Sequence, residues 1–417
     1  MTRCGGFIVP CATLVIMLSV ASSRGEAHKP ITSPYTYNED VFPILRERCG
    51  RCHVAGGVAP MSLMTYKDAF PWGESIRTEL IAGHMPPGGT NQPAGSFKNA
   101  HTLSARELNV LMVWATGGNP MGNAERTPPA VPLDNSWRLG APDLVVPMPS
   151  AFTIAADKIE ETLELTLPTG ATGARLVRAV DLLPGTPAIV RSATISVKTD
   201  SPAAAANPDH VTSAPERVLA LWLPGDTPVV LDDGPAFQLP ANAELILRVH
   251  YKKTWENERL AMTDRSSVGL YFAPASAPAL RALTVAAPAD AAPQPASSGT
   301  GQTQPTQGSR DQVSFSRIVD EDLRAVAIYP DRGLTNVNVD VAVERPDGSR
   351  TELIRFRPQA DWARRYWLAE PVMLPRGSRI TVVATFNDVL LPPGAAPLVQ
   401  KRPDPSSLRV TVNVVGK

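Results

Sequence analysis

Cysteine is scarce in this sequence, and its positions limit the structures that the chain can form. The 417 residues contain four cysteines. Cys4 and Cys11 lie in Met1–Ala27, which has a basic residue near its start, a central apolar stretch and small residues at its end, as in a secretory signal. If this segment is removed, only Cys49 and Cys52 remain. A disulfide scaffold is then excluded, and no further thiol is left for zinc. Retention of the segment as an uncleaved anchor is the alternative.

The chain also lacks an excess of charge of either sign and, beyond its N-terminus, a long apolar run. Forty basic and forty acidic residues cancel, so no electrostatic attraction to nucleic acid or to a membrane is expected. No apolar run after residue 20 is long enough to span a bilayer. We therefore expect a periplasmic or secreted protein with no transmembrane span after signal cleavage.

The two remaining cysteines lie in a Cys-x-x-Cys-His sequence, Cys49 to His53. This spacing is the attachment signature of c-type haem, because two thiols three residues apart can each form a thioether with a porphyrin vinyl group and the following histidine can ligate the iron. The alternatives are a zinc site, which needs about four ligands, a thioredoxin-like pair, which needs no histidine, and a structural disulfide. We predict one covalent haem c held by Cys49, Cys52 and His53.

Helical patterns flank the haem motif. Asp40 predicts the N-cap of a short helix that ends at Cys49. A second helical stretch is predicted over residues 67–81, and Ser104–Glu107 has the pattern of a capping box at the start of a third helix that Gly117 ends. Helix, motif, loop and terminal helix together are typical of a small cytochrome c fold.

A sixth iron ligand is expected in the loop after the second helical stretch. Met85 precedes two prolines, which restrict the loop to an extended conformation that can hold a thioether over the ring. Met61 and Met64 follow His53 closely and are interpreted as packing residues, and His84 is a lone histidine of the kind usually found at the surface. Met85 is therefore the predicted ligand.

The sequence pattern of the rest of the chain predicts β structure. Proline is abundant, with 42 residues, about twice the usual share, and several stretches alternate apolar and polar residues with the period of a strand. Asn336–Glu344 alternates strictly, Pro346–Gly348 predicts a turn and Thr351–Phe356 predicts the returning strand. The fold class predicted is multidomain, with a small all-α cytochrome c domain followed by two all-β sandwich domains of jelly-roll type.

These patterns divide the chain into six parts. The predicted parts are a signal peptide (1–27), a cytochrome c domain (31–122), a linker (123–133), a first β-sandwich (134–285), a disordered low-complexity linker (286–311) and a second β-sandwich (312–417).

Ten short segments carry a family resemblance. They are Asp40–Leu45, Cys49–His53, Leu63–Trp72, His84–Pro87, Trp137–Asp143, Trp222–Gly225, Leu247–Tyr251, Asp264–Phe272, Arg345–Gly348 and Tyr366–Pro375. Residues 40–122 resemble the cytochrome c domain fused to some bacterial relatives of the copper type II, ascorbate-dependent monooxygenases. Residues 134–275 and 312–417 resemble the two sandwiches of the peptidylglycine and dopamine monooxygenase fold.

The resemblance implies two copper ions, but most of the ligands that it implies are missing. The first copper of that family has three histidine ligands. The adjacent His-His pair is replaced here by Arg191-Ser192, and only His250 is retained. The second copper uses a His-x-His pair and a methionine, whereas Pro330–Gly333 reads Pro-Asp-Arg-Gly and no methionine follows Met373. With one of six ligands left, copper is not expected, and His250 is interpreted as a residual strand histidine.

The sequence therefore predicts a monohaem c-type cytochrome that exchanges one electron with a redox partner protein, and an electron-transfer protein rather than a monooxygenase. The β-sandwiches are expected to bind a partner or a ligand. Two alternatives stay open. One is a copper type II, ascorbate-dependent monooxygenase-like oxidoreductase, and the other is a sandwich-based binding or scaffold subunit of a larger complex.

Overall fold

A computed structural model describes residues 32–90, 95–98, 102–198, 217–231, 234–295, 311–330, 334, 337–386 and 404–416. The predicted signal peptide, most of the predicted linker 286–311 and the positions Asp331–Gly333 lie outside the described residues. Within the described ranges, no helix is long and apolar enough to cross a membrane.

The helices lie near the N-terminus, in residues 32–126, which we call the helical segment. Its α-helices are α1 (Phe42–Arg48), α2 (Tyr66–Ala69), α3 (Gly73–Ile81) and α4 (Ala105–Thr116). Shorter helical turns are a π-helical turn at Tyr37–Val41 and 3-10 turns at Phe70–Trp72, Ala124–Arg126, Ala360–Trp362 and Pro405–Ser407. A buried apolar cluster around Trp114, Tyr37 and Leu45 holds the helical segment together.

The start of α4 is confirmed, residue for residue. The Ser104 hydroxyl accepts a hydrogen bond from the Glu107 backbone N–H at 3.2 Å, and the Glu107 carboxylate accepts one from the Ser104 N–H at 2.7 Å. This reciprocal pair satisfies two backbone donors that the first helical turn leaves without partners.

One other local prediction was wrong. Asp40 does not cap α1, because its Oδ2 accepts the Thr36 backbone N–H at 2.8 Å and α1 follows directly from the π-helical turn. The helical stretch predicted over 67–81 is confirmed as α2, a 3-10 turn and α3. The 3-10 turn contains Pro71, which lacks the N–H that a continuous α-helix needs.

The described part of the chain contains nineteen strands, all paired antiparallel. They are β1 (Leu144–Pro147), β2 (Phe152–Ile154), β3 (Glu160–Pro168), β4 (Arg175–Leu183), β5 (Val190–Val197), β6 (Arg217–Trp222), β7 (Phe237–Leu239), β8 (Glu244–Lys252), β9 (Met262–Asp264), β10 (Ser267–Phe272), β11 (Arg281–Ala286), β12 (Gln294–Pro295), β13 (Asp311–Ile318), β14 (Leu323–Pro330), β15 (Val337–Glu344), β16 (Arg350–Phe356), β17 (Tyr366–Leu374), β18 (Arg379–Phe386) and β19 (Arg409–Gly416).

The strands form four larger sheets around two apolar cores. The sheets β1-β10-β4-β7 and β3-β8-β5-β6 enclose what we call the first β core. The sheets β11-β19-β14-β17 and β12-β13-β18-β15-β16 enclose the second β core. A small ladder of β2 and β9 completes the described strands. The predicted hairpin is confirmed as β15 and β16, which pair through a turn closed by the Gly348 N–H and the Arg345 carbonyl at 2.9 Å.

The predicted fold class was wrong. Of the described residues, about 40% are in strands and 15% in helices, and the longest helix has 12 residues. The helical segment is not a separate all-α cytochrome c domain, because Phe97 packs in the second β core and forms an isolated bridge with Leu368. The β units are not separate sandwiches either, since Trp367 and Val326 of the second pair of sheets pack in the first β core. Periodicity predicts which segments are helices or strands, but not which core each apolar face joins.

Candidate functional site

The Cys-x-x-Cys-His sequence forms one helical turn at the end of α1. The Cys49 carbonyl accepts the N–H of His53 at 2.9 Å and that of Cys52 at 3.1 Å. Residues at positions i, i+3 and i+4 of such a turn lie on one side, so the two thiols and the imidazole face the same way. Both cysteines are free thiols and are partly buried.

The ring of His53 is oriented by a backbone carbonyl. Its Nδ1 lies 3.1 Å from the carbonyl oxygen of Met61. A carbonyl only accepts, so Nδ1 carries the proton and Nε2 keeps its lone pair. Burial lowers the pKa of His53, which favours the neutral imidazole that a metal requires. This is the usual support of a metal-binding histidine.

Burial has the opposite effect on the neighbouring thiols. It raises the pKa of Cys49 to about 12 and that of Cys52 to about 11. Dithiol oxidoreductases instead lower the pKa of their attacking thiol. The turn therefore lacks the electrostatics of a thioredoxin-like pair.

The haem-motif turn packs against the connection that follows β6. Arg51 Nη1 lies 2.7 Å from Asp226 Oδ1, and the Cys52 sulfur is 4.0 Å from the Pro224 carbonyl oxygen. Gly225 has φ +70°, and a Cβ there would lie 2.6 Å from Arg51 Cβ. A glycine is required because the two backbones approach so closely in a left-handed conformation. Residues of the first β core thus form one wall beside the cysteines.

The loop that follows the predicted sixth ligand is linked to the motif turn through two charged residues. Met85 is partly buried, and Gly88 lies against the Arg364 guanidinium, with its carbonyl oxygen 3.2 Å from the Tyr366 hydroxyl, which donates. Arg364 in turn lies 3.3 Å from Asp226, the partner of Arg51. Asp226 therefore pairs both with the motif turn and with the arginine that contacts the loop after Met85.

The alternative candidates for the sixth iron ligand are Met64, Met61 and His84, and each has contacts of its own. Met64 is 4% exposed and belongs to the core of the helical segment. Met61 packs at the edge of that core and contributes its carbonyl to His53. His84 is exposed, with Nδ1 3.0 Å from Glu79 Oε2. The role of Met85 as iron ligand stays a prediction.

His250, which the family resemblance would match to a copper ligand, lies in an ion-pair network. Its Nε2 is 2.8 Å from Glu160 Oε1, and its Nδ1 is 3.9 Å from Asp361 Oδ1. Lys252 Nζ lies 3.0 Å from Glu160 and 3.4 Å from Asp361. Burial disfavours the charge on Glu160, but the hydrogen bonds from Lys252 and His250 outweigh it, so the pKa of Glu160 is lowered.

This network has the donor groups of a metal site but already contains a cation. Ligand atoms of Glu160, His250 and Asp361 lie within 4.8 Å of one another. The Lys252 ammonium bonds both carboxylates, and a divalent ion would have to displace it. Sequence reasoning missed Glu160, Lys252 and Asp361, because they lie on separate elements and share no spacing signal.

Arg191 lies on β5 at a β-bulge. The register passes from Val190 opposite Tyr251 to Ser192 opposite His250, which leaves Arg191 without a partner position. Its guanidinium lies over the Trp362 ring at 5.1 Å, and its Nε is buried with no hydrogen-bond partner.

The residues present fit a covalently attached haem. Cys49 and Cys52 offer two free thiols on one side of a turn, His53 offers an unprotonated Nε2 beside them, and the buried Arg191 Nε lacks an acceptor. These four groups would hold the haem and one of its polar substituents. Of the residues proposed from the sequence, the structure joins the first three in one turn and leaves His250 in a separate ion-pair network.

No protein-family model matches this chain, and no curated protein matches its sequence. Among solved structures, an allantoicase is similar over 61% of this chain and 77% of its own, with 11% identity and a TM-score of 0.17. The cycloalternan-forming enzyme from Listeria monocytogenes is similar over 63% of this chain and 19% of its own, with 13% identity and a TM-score of 0.17. A structure of infectious bursal disease virus is similar over 70% and 80%, with 10% identity and a TM-score of 0.16. At these TM-scores the similarities carry no argument about fold or function.

Proposed function

We propose that this protein is a monohaem c-type cytochrome that transfers single electrons. Cys49 and Cys52 would attach the haem through thioethers, and His53 and Met85 would bind its iron. The observation that carries the proposal is the helical turn in which two free thiols flank an imidazole whose Nδ1 donates to the Met61 carbonyl. That hydrogen bond leaves Nε2 as the only ring atom able to bind iron.

The bound haem would supply a one-electron couple, and the chain's residues would set its potential. A thioether from Met85 favours ferrous iron and raises the potential, and two protein ligands leave no open coordination position. The Met61 carbonyl increases the basicity of His53 through Nδ1. This ligand set suits electron transfer rather than oxygen chemistry.

The β cores would serve the same function in two ways. Pro224 packs beside Cys52 and Asp226 pairs with Arg51, so the connection after β6 would form part of the surroundings of the haem. The remaining surface of the β cores would bind a redox partner protein or a ligand. The proposed location is the periplasm or the extracellular space, because the predicted secretory signal and the predicted c-type haem both indicate it.

Production with a c-type maturation system tests the proposal. We expect one haem per chain that stays attached in a denaturing gel, and a reversible change of the optical spectrum on reduction and reoxidation. Iron and copper are measured on the same sample, with one iron and no bound copper expected. A chain that matures without attached haem would refute the proposal.

The second candidate is a copper monooxygenase-like oxidoreductase. The specific observation in its favour is the close approach of His250, Glu160 and Asp361. The ammonium of Lys252 between the two carboxylates opposes it. Stoichiometric copper in the sample above, together with ascorbate-driven oxygen uptake, would favour this candidate.

A further inference from the structure

The bulge in β5 contains an arginine, Arg191, whose guanidinium lies over the ring of Trp362. Arg191 is the extra residue of the bulge, beside the strand that carries His250. Bulges re-aim a side chain and are frequent beside functional sites. The Trp362 ring then holds the guanidinium from one side at 5.1 Å.

The guanidinium of Arg191 lacks a hydrogen-bond acceptor at its Nε. Its Nε is buried without a hydrogen-bond partner. The carboxylates of Asp361 and Glu160 act on it electrostatically, but Lys252 already bonds both of them. A buried donor without a partner is rare in folded proteins and calls for an explanation, such as a ligand that supplies the acceptor.

Arg191 also lies near enough to the haem motif for its charge to act on two of the motif's residues. Burial dominates the pKa of Cys52 and of His53, and the charge of Arg191 acts on both groups in addition. An anion that satisfies Arg191 would therefore lie beside the group attached to Cys52. Arginine suits carboxylates, because its planar fork donates two parallel hydrogen bonds.

Haem carries two propionate side chains, which are carboxylates at neutral pH. We propose that Arg191 binds a haem propionate, so that a residue of the first β core, at the position of a lost copper ligand, has become a contact of the haem. This inference rests on the proposed function. It also implies that the β cores take part in setting the redox potential.

The experiment uses the full chain, matured with haem whose propionates carry ¹³C, and records redox-difference infrared spectra and the reduction potential. Arg191→Leu removes the donor, and Arg191→Gln removes the charge with less disturbance. Arg178→Leu is the matched control, because Arg178 also lies over an aromatic ring, Tyr271, at 5.8 Å in the same β core.

We expect both Arg191 variants to keep covalent haem and to shift the ¹³C-sensitive carboxylate band. Loss of a positive charge beside the propionate stabilises ferric iron. At fixed ambient potential, the reduced-to-oxidised ratio should fall about threefold to tenfold, a tenfold change being about 59 mV for one electron. Arg178→Leu should change neither the band nor the ratio.

Three results would overturn the inference. One is an unchanged labelled band in Arg191→Leu, or in Arg191→Gln if the leucine variant does not fold. Another is an equal band shift in Arg178→Leu. The third is a potential that follows added phosphate while the labelled band stays constant, which would assign Arg191 to a free anion. Wild-type protein without covalent haem would instead refute the proposed function itself.

Discussion

Arg51 lies between the two cysteines of the haem motif and forms an ion pair of 2.7 Å with Asp226, in the connection that follows β6 of the first β core. The same carboxylate lies 3.3 Å from Arg364, which contacts the loop that follows Met85. One aspartate thus joins the haem-motif turn, the first β core and the segment before β17. The site is assembled from three parts of the chain that are far apart in sequence.

Replacement of Asp226 should destabilise this assembly. Asp226→Asn removes the carboxylate charge that both Arg51 and Arg364 face, and both arginines are mostly buried, with 20% and 6% of the side chain exposed. We expect a loss of about 1–3 kcal/mol in the free energy of unfolding, between the values for exposed and fully buried pairs. Urea denaturation measures it. Asp340→Asn, which breaks the exposed pair with Arg355, should cost less than about 1 kcal/mol, and equal losses for the two variants would contradict the prediction.

Loss of either haem-motif cysteine should remove most covalent haem. Cys49→Ala and Cys52→Ala each leave at most one thioether, so haem staining of a denaturing gel should fall strongly for both when they are produced with a maturation system. Cys11→Ala, in the predicted signal segment, should stain like wild type. Unchanged staining in both motif variants would show that residues 49–53 are not a site of haem attachment.

Met85→Ala should open the sixth coordination position. Without the soft thioether the potential should fall, carbon monoxide should bind, and the weak near-infrared methionine–iron charge-transfer band of the oxidised protein should disappear. Met61→Ala should keep the band, and so should Met64→Leu, which preserves core packing. If Met85→Ala retains the band while one of the other two variants loses it, the ligand is a different methionine.

Copper should not bind tightly to the His250 network. Its Lys252 ammonium already pairs with both Glu160 and Asp361, so copper-reconstituted protein should show no stoichiometric type II signal and no ascorbate-driven oxygen uptake. Lys252→Ala should raise copper retention, because it frees both carboxylates, whereas Lys158→Ala, from an exposed pair with Glu161, should not. Two tightly held coppers per wild-type chain would show that the sequence comparison with the copper enzymes missed ligands.

Glu107 should make the helical segment sensitive to acid. Burial opposes its charge, but hydrogen bonds from Ser104 and Arg48 outweigh burial and lower its pKa. A pKa that is lowered in the folded state stabilises the protein at pH values above the unfolded pKa of about 4.3. This contribution is lost as the pH falls through the folded pKa.

Glu107→Gln should therefore reduce the free energy of unfolding at pH 7 by about 1 kcal/mol and make stability decline less steeply in acid. Glu74→Gln, from an exposed pair with Arg77, should leave the acid profile unchanged in thermal denaturation at pH 3 to 7.

Local patterns predicted local structure well where the forces are local. The capping box of Ser104 and Glu107 and the hairpin of β15 and β16 are confirmed, since a few neighbouring residues decide each of them. Asp40 failed as a cap because the Thr36 N–H competes for its carboxylate. The fold class failed because the apolar face around Phe97 joins the second β core instead of a helical one.

The sequence by itself determined the chemistry that the Cys49–His53 turn can perform, because five adjacent residues place two thiols and an imidazole on one side of a helical turn. The tertiary structure alone decided what surrounds that turn. Arg51 and Asp226 are 175 residues apart, and Arg191 lies at a bulge in β5 that no sequence pattern indicates. Such contacts depend on how sheets and loops pack around shared cores, and no spacing along the chain records that packing.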